Sequence, residues 1–131
     1  MSLVKMKELL ERAQKNNIGC GAFSVGNMEM VRGAIQAAEE LDTPIILQIA
    51  EVRLKHSPLH LMGPMMVQAA KEAKVDVAVH LDHGLTFETV QKALELGFTS
   101  VMSDAAISPS RVPLVKSGSD PAGSRSLCWI S

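Results

Sequence analysis

The densest chemistry in the sequence is Val79-His80-Leu81-Asp82-His83-Gly84. Three ionisable side chains fall within four positions, and burying them without partners is costly, so the cluster points to binding or proton transfer. A neutral imidazole is a good zinc ligand. A carboxylate beside it can act as general base on a substrate held at the same place. The competing reading is structural: a hydrogen-bonded strand end in which Asp82 caps a turn.

The elements around the cluster place it. Val75 to Leu81 reads as a strand, which puts the His-Asp-His group at a strand's C-terminal end, where both barrels and open α/β sheets bind ligands. Upstream, Met6, Leu9, Leu10 and Ala13 recur at helical spacing until Asn16-Asn17-Ile18-Gly19 interrupts them. Cys20 to Val25 is a strand, and Asn27 caps a helix with the stripe Met28, Val31, Ile35, Ala38 and Leu41. Pro44 to Ile49 is an unbroken apolar run, as in a strand covered on both faces. Ser57-Pro58 predicts a cap and a first helical position ahead of Leu59, Met62, Met66, Ala69 and Ala73. Thr86 caps a further helix with Phe87, Val90 and Leu94 inward; Gly97 closes it, and Phe98 to Met102 is a fourth strand.

Four strand–helix alternations imply right-handed crossovers and a parallel sheet, hence an α/β fold. An open doubly wound sheet and a (β/α)8 barrel both satisfy this order. A complete barrel needs ~250 residues, so the parallel (β/α) units in this 131-residue chain amount to about the first half of one. No GxGxxG or P-loop follows a strand; Gly19-Cys20-Gly21 precedes the first one, which weakens nucleotide readings.

Composition excludes other classes. Lys and Arg number 13 against 14 acidic residues, leaving no electrostatic footprint for nucleic acid or an anionic membrane. Tyrosine is absent and tryptophan occurs once, so a stacking platform for bases is not encoded. Cys20 and Cys128 form neither a CxxC pair nor a disulfide framework, and the N-terminus has no signal-peptide core, which together predict a cytoplasmic protein. Residues 1–104 read as one structured unit. From 105 to 131 glutamate disappears and Ser, Pro and Gly recur, which predicts an irregular, non-native tail.

His80-Leu81-Asp82-His83-Gly84, with Gly97-Phe98-Thr99-Ser100-Val101-Met102 and Asp104, resembles the class II, zinc-dependent ketose-bisphosphate aldolases. Ala22-Phe23-Ser24-Val25-Gly26-Asn27, Glu29 and Pro44-Ile45-Ile46-Leu47-Gln48 are similar to that family's first two strands, and the likeness runs from about Val4 to Asp104. The resemblance implies a barrel lyase that cleaves or forms a carbon–carbon bond in fructose or tagatose 1,6-bisphosphate. The products would be dihydroxyacetone phosphate and glyceraldehyde 3-phosphate. It implies that His83 is one of three histidine zinc ligands and that Asp82 exchanges a proton with the substrate hydroxyl at the breaking bond. Asp104 matches an acidic position near the metal, a possible second cation site by analogy, while Asn27 and Ser24 fall where they would line the pocket.

Other polar residues are assigned humbler parts. His80 is read as a core or supporting histidine, the His56 and His60 pair as coincidental, and Arg53 and Lys55 as solvated charge. Alanine stands at position 50, near where the family often has a serine associated with phosphate. Family members continue into a second half that supplies two more histidines, a glycine-rich loop and the main phosphate site, none of which is recognisable here. The expectation is therefore a chain shifted in frame or cut near Asp104, inactive alone and prone to homo-oligomerise. The alternatives are a non-catalytic half-barrel that assembles with itself or a partner, and a different phosphate-binding α/β enzyme.

Overall fold

The structure, a computed structural model, describes residues 2–104 and 128–130. Helix α1 (Met6–Lys15) buries Met6, Leu9 and Ala13, one stripe at the period of a helix. It ends where Asn17 turns left-handed at φ +53 and Ile18 N–H reaches back to the Ala13 carbonyl at 3.0 Å. Strand β1 (Gly21–Ser24) leads into α2 (Met28–Glu40), whose first turn is capped by the Asn27 side chain accepting from Met30 N–H at 2.9 Å. Strand β2 (Ile45–Ala50) runs into a single 3-10 turn, Glu51–Arg53. Helix α3 (Leu59–Glu72), strand β3 (Val77–Gly84), helix α4 (Phe87–Glu95) and strand β4 (Ser100–Ser103) follow.

The first four strands are parallel and in sequence order, β1-β2-β3-β4, and β5 (Cys128–Ile130) adds antiparallel to β4. The α/β class and the succession of (β/α) units are thus as expected. The expected irregular segment over 105–131 falls for the most part outside the described residues.

Two clusters cover the sheet. On one face, Val31, Ile35, Met66, Val67, Val90 and Ala93 from α2, α3 and α4 pack on Ile45, Leu47, Ile49, Val77, Val79, Leu81 and Val101. On the other, Met6 and Leu9 of α1 close over Ile46 and Ala78. This explains why β2 is apolar without alternation. Each fully buried Leu, Ile or Met contributes ~1.5–3 kcal/mol, so these two layers dominate the stability of the unit. Arg12 of α1 also reaches Asp76, just before β3, at 2.6 Å.

Several details depart from the sequence reading; β3 starts at Val77 and runs on to Gly84, and Leu10 is exposed. Pro58, not Ser57, occupies the N-cap position of α3, without a side-chain cap. The Ser57 hydroxyl, buried and in need of a partner, donates instead to the Gly26 carbonyl at 2.5 Å and ties the β1–α2 turn to the entry of α3. Met28 and Leu41 are exposed, because they sit at the two ends of α2 where the helix leaves the sheet; Val31, Ile35 and Ala38 carry its packing. In α4, Val90 and Ala93 are the buried pair, with Phe87 and Leu94 only half-buried.

Candidate active site

Strand β3 is regular as far as Leu81 and irregular beyond it. His80 and Leu81 pair with Ser100 and Val101, but the next pair is Gly84 with Ser103, so β3 spends one more residue than β4 over the same distance. Such a bulge re-aims side chains at the end of a strand. Within it His83 has φ +48, a left-handed conformation that costs a non-glycine residue roughly 1–2 kcal/mol. Gly84 is required by space: a Cβ there would lie 2.7 Å from Val90 Cγ2 and 3.0 Å from the Met102 carbonyl oxygen. The bulge is closed by Asp104 N–H donating to the Gly84 carbonyl at 3.0 Å.

The consequence is a small polar group at the C-terminal rim of the sheet. His83 Nε2 stands 3.8 Å from Asp82 Oδ1, and His83 Nδ1 stands 3.5 Å from Asp104 Oδ1. The imidazole is 56% exposed while Asp82 is only 22% exposed, so the ring faces solvent and the carboxylate lies against the sheet. Asp82, His83 and Asp104, separated by up to 22 residues in sequence, are thus brought together. An imidazole flanked by two carboxylates suits cation binding and proton exchange with a hydroxyl.

Beneath the rim lies a polar row that crosses the sheet. Ser24, Gln48, His80 and Ser100 are in register on β1, β2, β3 and β4. Gln48 Nε2 donates to Ser24 Oγ at 3.1 Å, and His80 Nδ1 shares a hydrogen bond with Ser100 Oγ at 2.7 Å. His80 is buried, and its pKa is lowered to about 4, chiefly because burial disfavours the imidazolium; His83 adds to the lowering, whereas Asp82 and Ser100 oppose it. His80 is therefore neutral near pH 7, the supporting histidine expected. Ser24 lies in this row rather than at the rim, and the Asn27 oxygen is engaged in the cap of α2. His56 and His60 fall on different elements, the turn before α3 and its first turn, and both are exposed.

Two residues just after β2 make contacts that the sequence reading did not assign. The Arg53 guanidinium lies across Gly26, where a Cβ would come within 2.6 Å of Nε and Nη2. Glu51, immediately after β2, accepts from Thr86 N–H at 3.1 Å, Thr86 Oγ1 at 3.0 Å, Thr89 Oγ1 at 2.9 Å and, more closely, from Leu85 N–H. The only signal for it was position: an acid at the ligand-binding end of a strand. Among the described residues no group of three or more His, Cys, Asp or Glu side chains converges to hold a metal ion. A zinc site takes three or four protein donors, so these residues offer one imidazole and do not complete a site.

A row of parallel βα units with Asp82, His83 and Asp104 gathered at the C-terminal rim is the architecture of a (β/α)-barrel module. The chain belongs to the class II fructose-bisphosphate aldolase family, whose model matches residues 4–112. It is 47% identical over 102 residues to the fructose-bisphosphate aldolase of Thermus caldophilus, covering 78% of this chain and 33% of that protein. It is 38% identical over 106 residues to the sulfofructosephosphate aldolase of Alkalicoccus urumqiensis, covering 81% and 37%. The solved YdjI aldolase of Escherichia coli K12 superposes with a TM-score of 0.72 at 30% identity, covering 76% of this chain and 39% of that one. The chain thus spans a third or a little more of the length of the curated relatives it matches. No helix among the described residues is long and apolar enough to cross a membrane.

Proposed function

We propose that residues 1–104 are the N-terminal part of a zinc-dependent aldolase acting on a phosphorylated ketose, with fructose or tagatose 1,6-bisphosphate as the substrate class. The observation that carries the reading is the bulge after Leu81, which presents His83 to solvent with Asp82 and Asp104 on either side. His83 would donate one nitrogen to zinc, the remaining donors lying outside the described residues. Zinc, when bound, supplies Lewis-acid polarisation of a ketone oxygen. Asp82, half-withdrawn against the sheet, takes or returns the proton of the substrate hydroxyl at the scissile bond, the role of a positioned general base. Asp104 orients the His83 ring through Nδ1 or shares a second cation. Ser24 and Asn27, at and just after the end of β1, would line the sugar pocket.

The test joins residues 1–104 to the remaining part of the Thermus caldophilus aldolase. The expected result is one zinc per chain and cleavage of fructose or tagatose 1,6-bisphosphate to two triose phosphates; a folded chimera that binds zinc and cleaves neither sugar defeats the proposal. Assembly of the 131-residue chain into homo-oligomers, in the cytoplasm, belongs to the same reading. It is supported by β1, which pairs with β2 alone among the described strands and leaves Phe23 48% exposed. Sedimentation of the chain as a strict monomer would remove that part.

A further inference from the structure

We propose that Glu51 is a positioning residue for Asp82 and His83, acting as a clamp from β2 onto the turn that follows β3. The inference rests on the reading of those two residues as the reactive pair. The His83 backbone is held in a conformation it does not prefer, and such strain persists only where the surroundings over-determine it. The bulge is bracketed by two fixings. On one side the Gly84 carbonyl accepts from Asp104 N–H on β4. On the other, Leu85 N–H and Thr86 N–H, the first two amides after the bulge, both donate to Glu51 Oε2.

The second oxygen completes the clamp. Glu51 Oε1 accepts from the hydroxyls of Thr86 and Thr89, the N-cap and an inner first-turn residue of α4. A carboxylate placed there satisfies orphan amides at the start of a helix and sits at the positive end of its dipole. All four donors are neutral, two amides and two hydroxyls, so the group is engaged by geometry rather than by a countercharge. The clamp spans 34 or more residues of sequence and joins the end of β2 to the end of β3, the same two strands that pair Ala50 with Asp82. Releasing it leaves Gly84-Leu85 free to pivot and lets the bulge slide toward regular pairing.

The hydrogen-bond set makes the test selective. A glutamine can turn its carbonyl oxygen to the two amides and its NH2 to the two hydroxyls, which accept as well as donate. An alanine replaces none of the four bonds. In the 131-residue chain, studied without metal or sugar, Glu51→Ala is expected to speed amide exchange at Leu85 and Thr86 by about tenfold or more. It should also abolish the strong intraresidue HN–Hα cross-peak that a positive φ gives His83. Glu51→Gln should keep both signatures, and Leu47 in the middle of β2 should exchange unchanged in either variant. Retention of the His83 signature in Glu51→Ala overturns the proposal, as does equal acceleration at Leu47, or a Glu51→Gln variant that behaves like alanine. Where Glu51→Ala fails to fold, Glu51→Asp, which keeps the charge on a stem one methylene shorter, is read by the same criteria. Since nothing is bound in these measurements, their failure is separate from a failure of the chimera to cleave sugar.

Discussion

The two halves of β3 obey different rules. Val77, Ala78, Val79, His80 and Leu81 are all buried and pair in unbroken register with β2, four of them apolar and the fifth a neutral imidazole with a hydroxyl partner. Asp82, His83 and Gly84 follow without a turn, yet the register with β4 slips, a backbone angle becomes positive, and the side chains of Asp82 and His83 are polar and more accessible. One strand therefore serves as core at one end and as a presenting device at the other. The buried apolar packing is concentrated where the pairing is regular, and the polar, accessible groups lie where that regularity is given up.

The largest effects should separate the halves by activity. In the chimeric aldolase, Asp82→Ala is expected to lower turnover by about 10²–10⁴-fold, the usual contribution of a positioned acid–base group, while zinc content stays at one per chain. His83→Ala should lose turnover and zinc together. The unfolding midpoint of Asp82→Ala should stay near the parent's, because its side chain is not part of the apolar layers, whereas that of His83→Ala should fall by the stabilisation that the bound zinc supplied. Undiminished cleavage by Asp82→Ala would erase the distinction at its functional end. Leu81→Ala, one residue earlier and fully buried, should instead destabilise the fold by about 2–5 kcal/mol in denaturant titrations.

Much of the regular half was legible in the sequence because its physics is local and periodic. The unbroken run Ile45–Ile49 announced a doubly covered strand, Asn27 and Thr86 announced helix starts, and Gly97 announced a stop, which the structure places at φ +93. At the rim, residue type and strand position put Asp82 and His83 at the C-terminal end of β3, whereas Asp104 entered only through the family resemblance. The bulge that aims them was not legible, since it depends on a register difference between β3 and β4 that no single segment displays. Glu51 and Ser57 were missed for a related reason: each is spent on a backbone partner more than 30 residues away. Composition and spacing carry no record of such pairings.

The imidazole in the regular half offers a pH test. His80 titrates at 6.5 when exposed and at about 4 in the fold, so between those values the unfolded chain binds more protons than the folded one. Stability present above pH 6.5 must then fall as the pH drops, by about 3 kcal/mol once below pH 4. Unfolding free energies measured from pH 7.5 to 4 should show this slope in the parent and lose most of it in His80→Asn. Identical slopes would mean that His80 is hydrated in the fold, and the contrast between a dry interior and a wet rim would weaken.

The smallest expected effect bears most directly on the contrast. If the bulge is held against backbone preference, glycine at position 83 should relieve the strain of φ +48 while adding flexibility to the unfolded chain. The first term is worth roughly 1–2 kcal/mol and the second about half of that in the opposite direction, so His83→Gly should stabilise the chain by about 0.5–1 kcal/mol. Gly97→Ala, at the left-handed turn of φ +93 between α4 and β4, should shift the denaturation midpoint the opposite way. A His83→Gly variant that is less stable than the parent would show that the ring's contacts with Asp82 and Asp104 outweigh the backbone cost, and the rim would then be a stabilised element in its own right. A more stable variant that no longer contributes a zinc ligand would place the cost of presenting His83 on the backbone itself, where the slipped register already locates it.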